Sequence, residues 1–134
     1  MKKYFYVVLI TFLGQLTMAQ TWKAYVPNGE YINYTLARKD ATSFNLVVQF
    51  DDGSQCKSIL KRTSSEILQP SGYKKEIYSE SIIQSVNADC SPWYKIEIVW
   101  GKVIKNNFGT CDFSFRVYND DVDQISDLRL DFYR

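Results

Sequence analysis

Three features of the sequence predict an all-β fold of about eight antiparallel strands, arranged as a sandwich or a small barrel. The apolar period that recurs is two and not 3.6. Turn-forming clusters interrupt it and bound short strands along the whole chain. The chain is also rich in residues that suit a pleated surface, with ten Tyr, eight Phe and three Trp in 134 residues.

In chain order, Met1 to Ala19 reads as a secretory signal peptide. Lys2 and Lys3 form the positive region, Tyr4 to Leu13 the apolar run and Thr17-Met18-Ala19 a small-residue cleavage site. A spanning helix needs about 20 mostly apolar residues, and Gly14, Gln15 and Thr17 break this run too early. The expected products are the leader 1–19 and one β domain, 20–134, without a stable membrane anchor. The short Lys-Lys start has a bacterial pattern, so the expected location is periplasmic or secreted.

The strands are expected at 22–26, 30–38, 43–50, 54–62, 75–86, 93–104, 110–118 and 125–133. Tyr94, Ile96, Ile98 and Trp100 alternate with Trp93, Lys95, Glu97 and Val99, and Cys111, Phe113, Phe115 and Val117 alternate with Asp112, Ser114 and Arg116. Leu128, Leu130 and Phe132 alternate with Arg129, Asp131 and Tyr133. Such alternation gives a strand one buried face. Turn residues separate the strands at Pro27 to Gly29, Asp51 to Gly53, Asn87 to Pro92, Asn106 to Gly109 and Asn119 to Asp123. Ser64 to Gln69 is the one stretch that reads as helical, with Ser64 as a cap and Pro70 as a stop.

If successive strands are joined by tight turns, the turns fall alternately at two ends of the sheet. One end then collects Asp51, Asp52, Asp89, Asp120, Asp121 and Asp123. The other collects Arg38, Lys39, Lys61, Arg62, Lys74, Lys75, Lys102 and Lys105. The full chain carries a net charge of +1, and loss of Lys2 and Lys3 with the leader turns this into −1. That balance argues against nucleic acid as a partner and against a membrane held by charge alone. Separated ends would nevertheless make a strong dipole.

Strand order also sorts the three cysteines. An exported chain with an odd number suggests one disulfide and one thiol. Cys56 follows an acidic-end turn and Cys90 lies within another, whereas Cys111 starts its strand at the far end, about 30 Å from Cys90 at ~3.3 Å per residue. A bridge needs Cα atoms within about 7 Å. Cys56–Cys90 is therefore the expected pair and Cys111 a buried thiol. Cys90–Cys111 would require 101–110 to fold back as a long loop, and Cys56–Cys111 lacks the Trp and Tyr spacing of an immunoglobulin-type pair.

The absence of His removes triads, imidazole acid/base chemistry and most catalytic zinc sites. Carboxylate catalysis of glycan cleavage remains open in principle through Glu97 with Asp112, against the plainer reading of a salt-bridged strand face. Ser58 and Lys61 form an S-x-x-K string, but in a strand they point to opposite faces. Asn119, Asp121 and Asp123 alternate as oxygen ligands for calcium would, although the EF-hand glycine and glutamate positions are filled by Gln124 and Leu130. A solvated turn is the preferred reading, so no metal and no cofactor is expected. Trp93 falls out of phase with Tyr94, Ile96, Ile98 and Trp100 and is expected to be exposed beside the acidic end.

The expected function is thus a non-enzymatic exported protein, of inhibitor or immunity type, that binds a basic protein partner. Its expected binding residues are Trp93, Asp51, Asp52, Asp120, Asp121 and Asp123. The alternative is a carbohydrate- or lipid-binding sandwich or barrel, calcium-assisted in one version, with a small molecule or glycan as ligand.

Overall fold

The computed structural model describes residues 20–28, 30–118 and 125–134. The expected leader 1–19 and the acidic residues Asp120, Asp121 and Asp123 lie outside the described residues. The strands are β1 (Thr21–Asn28), β2 (Glu30–Asp40), β3 (Ser43–Gln49), β4 (Gln55–Ile67), β5 (Lys74–Val86), β6 (Lys95–Asn106), β7 (Gly109–Tyr118) and β8 (Ile125–Leu130).

All eight form one sheet in the order β1 to β8, each strand antiparallel to its sequence neighbours. A two-sheet sandwich is therefore not formed. Among the described residues the edge strands meet at one bridge beyond the end of β8, where the Lys23 and Tyr133 amides donate to each other's carbonyls at 2.9 Å. The sheet is rolled but unclosed. Its curvature is visible in contacts between strands that are not neighbours: Trp22 on β1 lies 5.2 Å from the ring of Phe113 on β7, and Phe44 on β3 lies 5.3 Å from Tyr78 on β5.

Period-two alternation puts one face inside this roll. Trp22, Leu36, Phe44, Leu46, Leu60, Tyr78, Ile96, Ile98, Phe113, Phe115, Val117 and Phe132 are buried together as a single cluster. Edge-on ring pairs such as Phe115 with Phe132 at 4.9 Å fill the inside with side chains. Full burial of one such ring stabilises the fold by about 1.5–3 kcal/mol, so truncating Trp22 to Ala should cost about 3–5 kcal/mol.

The segment expected to be helical, Ser64 to Gln69, is strand as far as Ile67 and then enters a turn. β4 runs on to Ile67 and pairs with β5 through Ile67↔Lys74, because the partner strand supplies hydrogen bonds that outweigh the weak local cap at Ser64. The register shift between Arg62 and Ser64 absorbs one residue.

The cysteines fall as the strand ends require. Cys56 and Cys90 are bridged, with Cα atoms 5.9 Å apart, and Cys111 is a buried thiol whose acidity burial pushes down, its pKa being raised. We expect thiol titration of the native protein with a bulky disulfide reagent to find no reactive group. One thiol per chain should appear in denaturant and three after reduction. A thiol that reacts rapidly in the folded state would contradict this placement of Cys111.

Candidate functional site

The β3–β4 turn and the β5–β6 connection lie at the same end of the sheet, and the Cys56–Cys90 bridge joins them. They form a recess of about 390 Å³ lined by Ile32, Phe50, Asp51, Asp52, Ser54, Ala88 and Asp89. The turn is built by its own residues. Asp52 accepts hydrogen bonds from the Ser54 amide at 2.9 Å and the Ser54 hydroxyl at 2.5 Å, which hold its carboxyl below the usual range. Gly53 adopts φ 85°, a conformation few other residues take. Asp52 is thus occupied with the turn, whereas among the described residues no cation pairs with Asp51 or Asp89.

Trp93 is not the exposed residue of this end. It is half-buried against the core, stacked on Tyr34 at 6.4 Å and edge-on to Phe115 at 6.3 Å, and its amide donates to Glu80 Oε1 at 2.7 Å. Tyr94 is the exposed residue instead, at 55%. β6 begins only at Lys95, so the chain before it is not bound to the strand's alternation, and Trp93 turns inward to cover the roll. Of the expected binding residues, Asp51 and Asp52 share the recess and Trp93 does not line it.

At the opposite end the inner face is polar. Glu76 is 1% exposed, and Arg62 Nη1 donates to its Oε2 at 2.9 Å with Lys74 Nζ 3.5 Å away. The Tyr78 hydroxyl donates to Oε1 at 3.1 Å, and the Trp100 indole N–H donates to the same oxygen. Burial pushes the Glu76 carboxyl up, but Arg62, Trp100, Lys74 and Tyr78 together outweigh it and hold it below the ordinary range. Burial, with the Glu76 charge beside it, pushes the Tyr78 hydroxyl up to about 12. Arg38 lies over the rings of Phe44 at 4.1 Å and Trp100 at 5.4 Å, and its buried Nη1 has cation–π contact in place of a hydrogen bond. Two half-buried arginines and a buried carboxylate met by Arg62, Lys74, Tyr78 and Trp100 form a plug. Farther along β5, Glu80 accepts from the Ser58 hydroxyl at 2.7 Å, so Ser58 faces inward while Lys61 is exposed.

The other carboxylates are engaged in ordinary strand-face contacts. Glu97 accepts from the Tyr118 hydroxyl at 2.9 Å and lies 3.9 Å from Lys75. Asp112 accepts from the Trp22 indole at 2.7 Å and from both Arg134 Nε at 2.7 Å and Nη2 at 3.0 Å. Glu97 pairs with Arg116, four residues along β7 from Asp112. At ~3.3 Å per residue the two acids are about 13 Å apart, wider than the ~5–9.5 Å used in glycan cleavage. Among the described residues no group of three metal-ligating side chains comes together. A shallow groove of about 920 Å³ follows the β1–β8 seam, with Lys23, Arg129, Phe108 and Tyr133 on its walls.

Glu76→Gln should lower the unfolding free energy at neutral pH by about 2–4 kcal/mol, less than for a fully enclosed pair because Arg62 and Lys74 reach solvent. Because the folded carboxyl is depressed, its stabilising share is complete above its ordinary value of 4.5 and is lost as pH falls through the folded value. The gap between wild type and variant in urea unfolding should therefore close in acid. A gap that stays constant across the acid range would contradict the ion-pair account.

The chain matches no protein-family model, no curated protein and no solved structure.

Proposed function

We propose that the protein is a non-enzymatic binding protein of an oxidising compartment, periplasmic or secreted, whose acidic end receives a basic segment of a protein partner. The observation that carries this reading is the joining of two acidic turns by Cys56–Cys90 into one recess with carboxylates on an apolar wall of Ile32 and Phe50. Among the described residues Asp51 and Asp89 have no paired cation, so a lysine or arginine entering the recess would find both hydrogen-bond acceptors and apolar contact for its stem. The sequence also carries Asp120, Asp121 and Asp123 between β7 and β8, outside the described residues. The disulfide fits an oxidising location, and no helix among the described residues is long and apolar enough to cross a membrane.

The engaged state of Glu97 and Asp112 and the lack of His support binding over catalysis. Field strength at such an end raises the encounter rate with a cationic partner and weakens with salt. The second reading, a glycan or amphiphilic small molecule, is favoured only by the seam groove with Phe108 and Tyr133.

A lysine- and arginine-rich peptide should bind at low ionic strength and be released by physiological salt, as read by isothermal calorimetry. The double variant Asp51→Asn with Asp89→Asn should weaken that binding by about tenfold without lowering stability. Equal affinity of the variant would remove this recess as the binding surface.

A further inference from the structure

The end opposite the acidic recess carries a feature that the partner reading leaves unused. β5 pairs with β6 only up to Lys74↔Trp100, so residues 101–106 of β6 have β7 as their sole strand neighbour among the described residues. This part of the β6–β7 hairpin lies beyond the last β5–β6 pair, with Tyr73 beside Gly101. Its tip is apolar and wet: Val103 is 54%, Ile104 47% and Phe108 80% exposed. The register of β6 on β7 shifts between Trp100 and Ile104, and Val103 and Ile104 are both left exposed beside that irregularity. Lys102 and Lys105 are exposed between these residues, and no acid occurs from Gly101 to Cys111.

The tip is fixed by its own turn and by contacts with Tyr133 and Arg134. Asn106 Oδ1 accepts from the Phe108 amide at 2.9 Å, an Asx turn that fixes the loop, and Asn106 Nδ2 donates to the Tyr133 hydroxyl at 3.3 Å. Gly109 has φ 129°, and any Cβ there would stand 2.5 Å from the Arg134 carbonyl oxygen. The Arg134 amide in turn donates to the Thr110 carbonyl at 2.8 Å. The Phe108 ring is tilted against that of Tyr133, with centroids 5.9 Å apart, yet keeps most of its surface in water.

We propose that this hairpin is a peripheral docking finger for anionic phospholipid membranes, in which Phe108, Val103 and Ile104 enter the interface and Lys102 and Lys105 pair with lipid phosphates. Charge complementarity selects the lipid surface over a second copy of the chain, because two copies meeting here would face lysine with lysine. Lys39 and Lys61 are exposed at the same end together with Asp40 and Glu66, so the positive charge of the proposed contact rests on Lys102 and Lys105. An apolar anchor or a basic patch alone gives weak, reversible attachment, and the two signals together give stable attachment. The near-zero net charge of the chain does not oppose this, since the acidic turns lie at the far end of the sheet. Docking would present the acidic recess away from the membrane.

The test is co-sedimentation of the protein with vesicles of phosphatidylcholine alone and of phosphatidylcholine mixed with phosphatidylglycerol. The protein should pellet with the mixed vesicles only, and added salt should release it. Phe108→Ser should lower binding about tenfold, and Lys102→Gln with Lys105→Gln about thirtyfold, with near-ultraviolet circular dichroism unchanged. Equal binding to neutral vesicles, full binding by Phe108→Ser, or no binding to either vesicle would overturn the proposal. So would a Phe108-dependent dimer detected by light scattering in place of vesicle binding.

Discussion

Each strand of this protein pairs with the strand before and after it in sequence, and that constraint organises everything else. Antiparallel neighbours reverse the chain at every turn, so even-numbered and odd-numbered turns collect at opposite ends. Turn residues that are far apart in sequence are thereby gathered at one end, as Asp51, Asp52 and Asp89 are in one recess. The same alternation brings Cys56 beside Cys90 and keeps Cys111 from both. Its inner counterpart is the period-two pattern, which sends one side chain in every two into the roll and fills it with rings from strands that are far apart in sequence.

A rolled sheet of few strands has little room for polar groups inside, and the places where they occur are the informative ones. Glu76 sits within the inner face of β5 because Arg62, Lys74, Tyr78 and Trp100 converge on its two oxygens. A carboxylate with that many donors holds the ends of β4, β5 and β6 in one arrangement. The open end of the roll is treated differently: there Trp93 folds in from the connection before β6 and rests on Tyr34 and Phe115. One end is sealed by an ion-pair network and the other by an aromatic lid, and both leave the turns beyond them free to face solvent.

The eight strands and the Cys56–Cys90 disulfide are legible from local pattern, because alternation and turn residues depend on neighbours in sequence. What was not legible depends on partners far along the chain. Ser64 to Gln69 carries a cap and a proline stop, and only the pairing of β4 with β5 shows why it stays extended. Trp93 obeys the alternation of 94–100 on paper, yet the strand begins after it, and its orientation follows from Tyr34, 59 residues earlier. The Glu76 network left a faint trace, since Glu76, Tyr78 and Glu80 share one strand phase, but a polar residue on that phase reads as an outer face until Arg62 and Trp100 are placed beside it. The hairpin finger was hidden for the same reason: Val103 and Ile104 look like strand interior until the length of β5 is known.

The central claim is that the two ends of one small sheet do different work because their charges differ. Amide chemical-shift mapping with two probes tests it most directly, one a lysine-rich peptide and the other anionic bicelles. The account predicts disjoint sets of perturbed amides, residues 50–54 and 88–90 for the peptide and 101–110 for the bicelles. Perturbation of the same amides by both probes, or shifts spread evenly over the sheet, would contradict it.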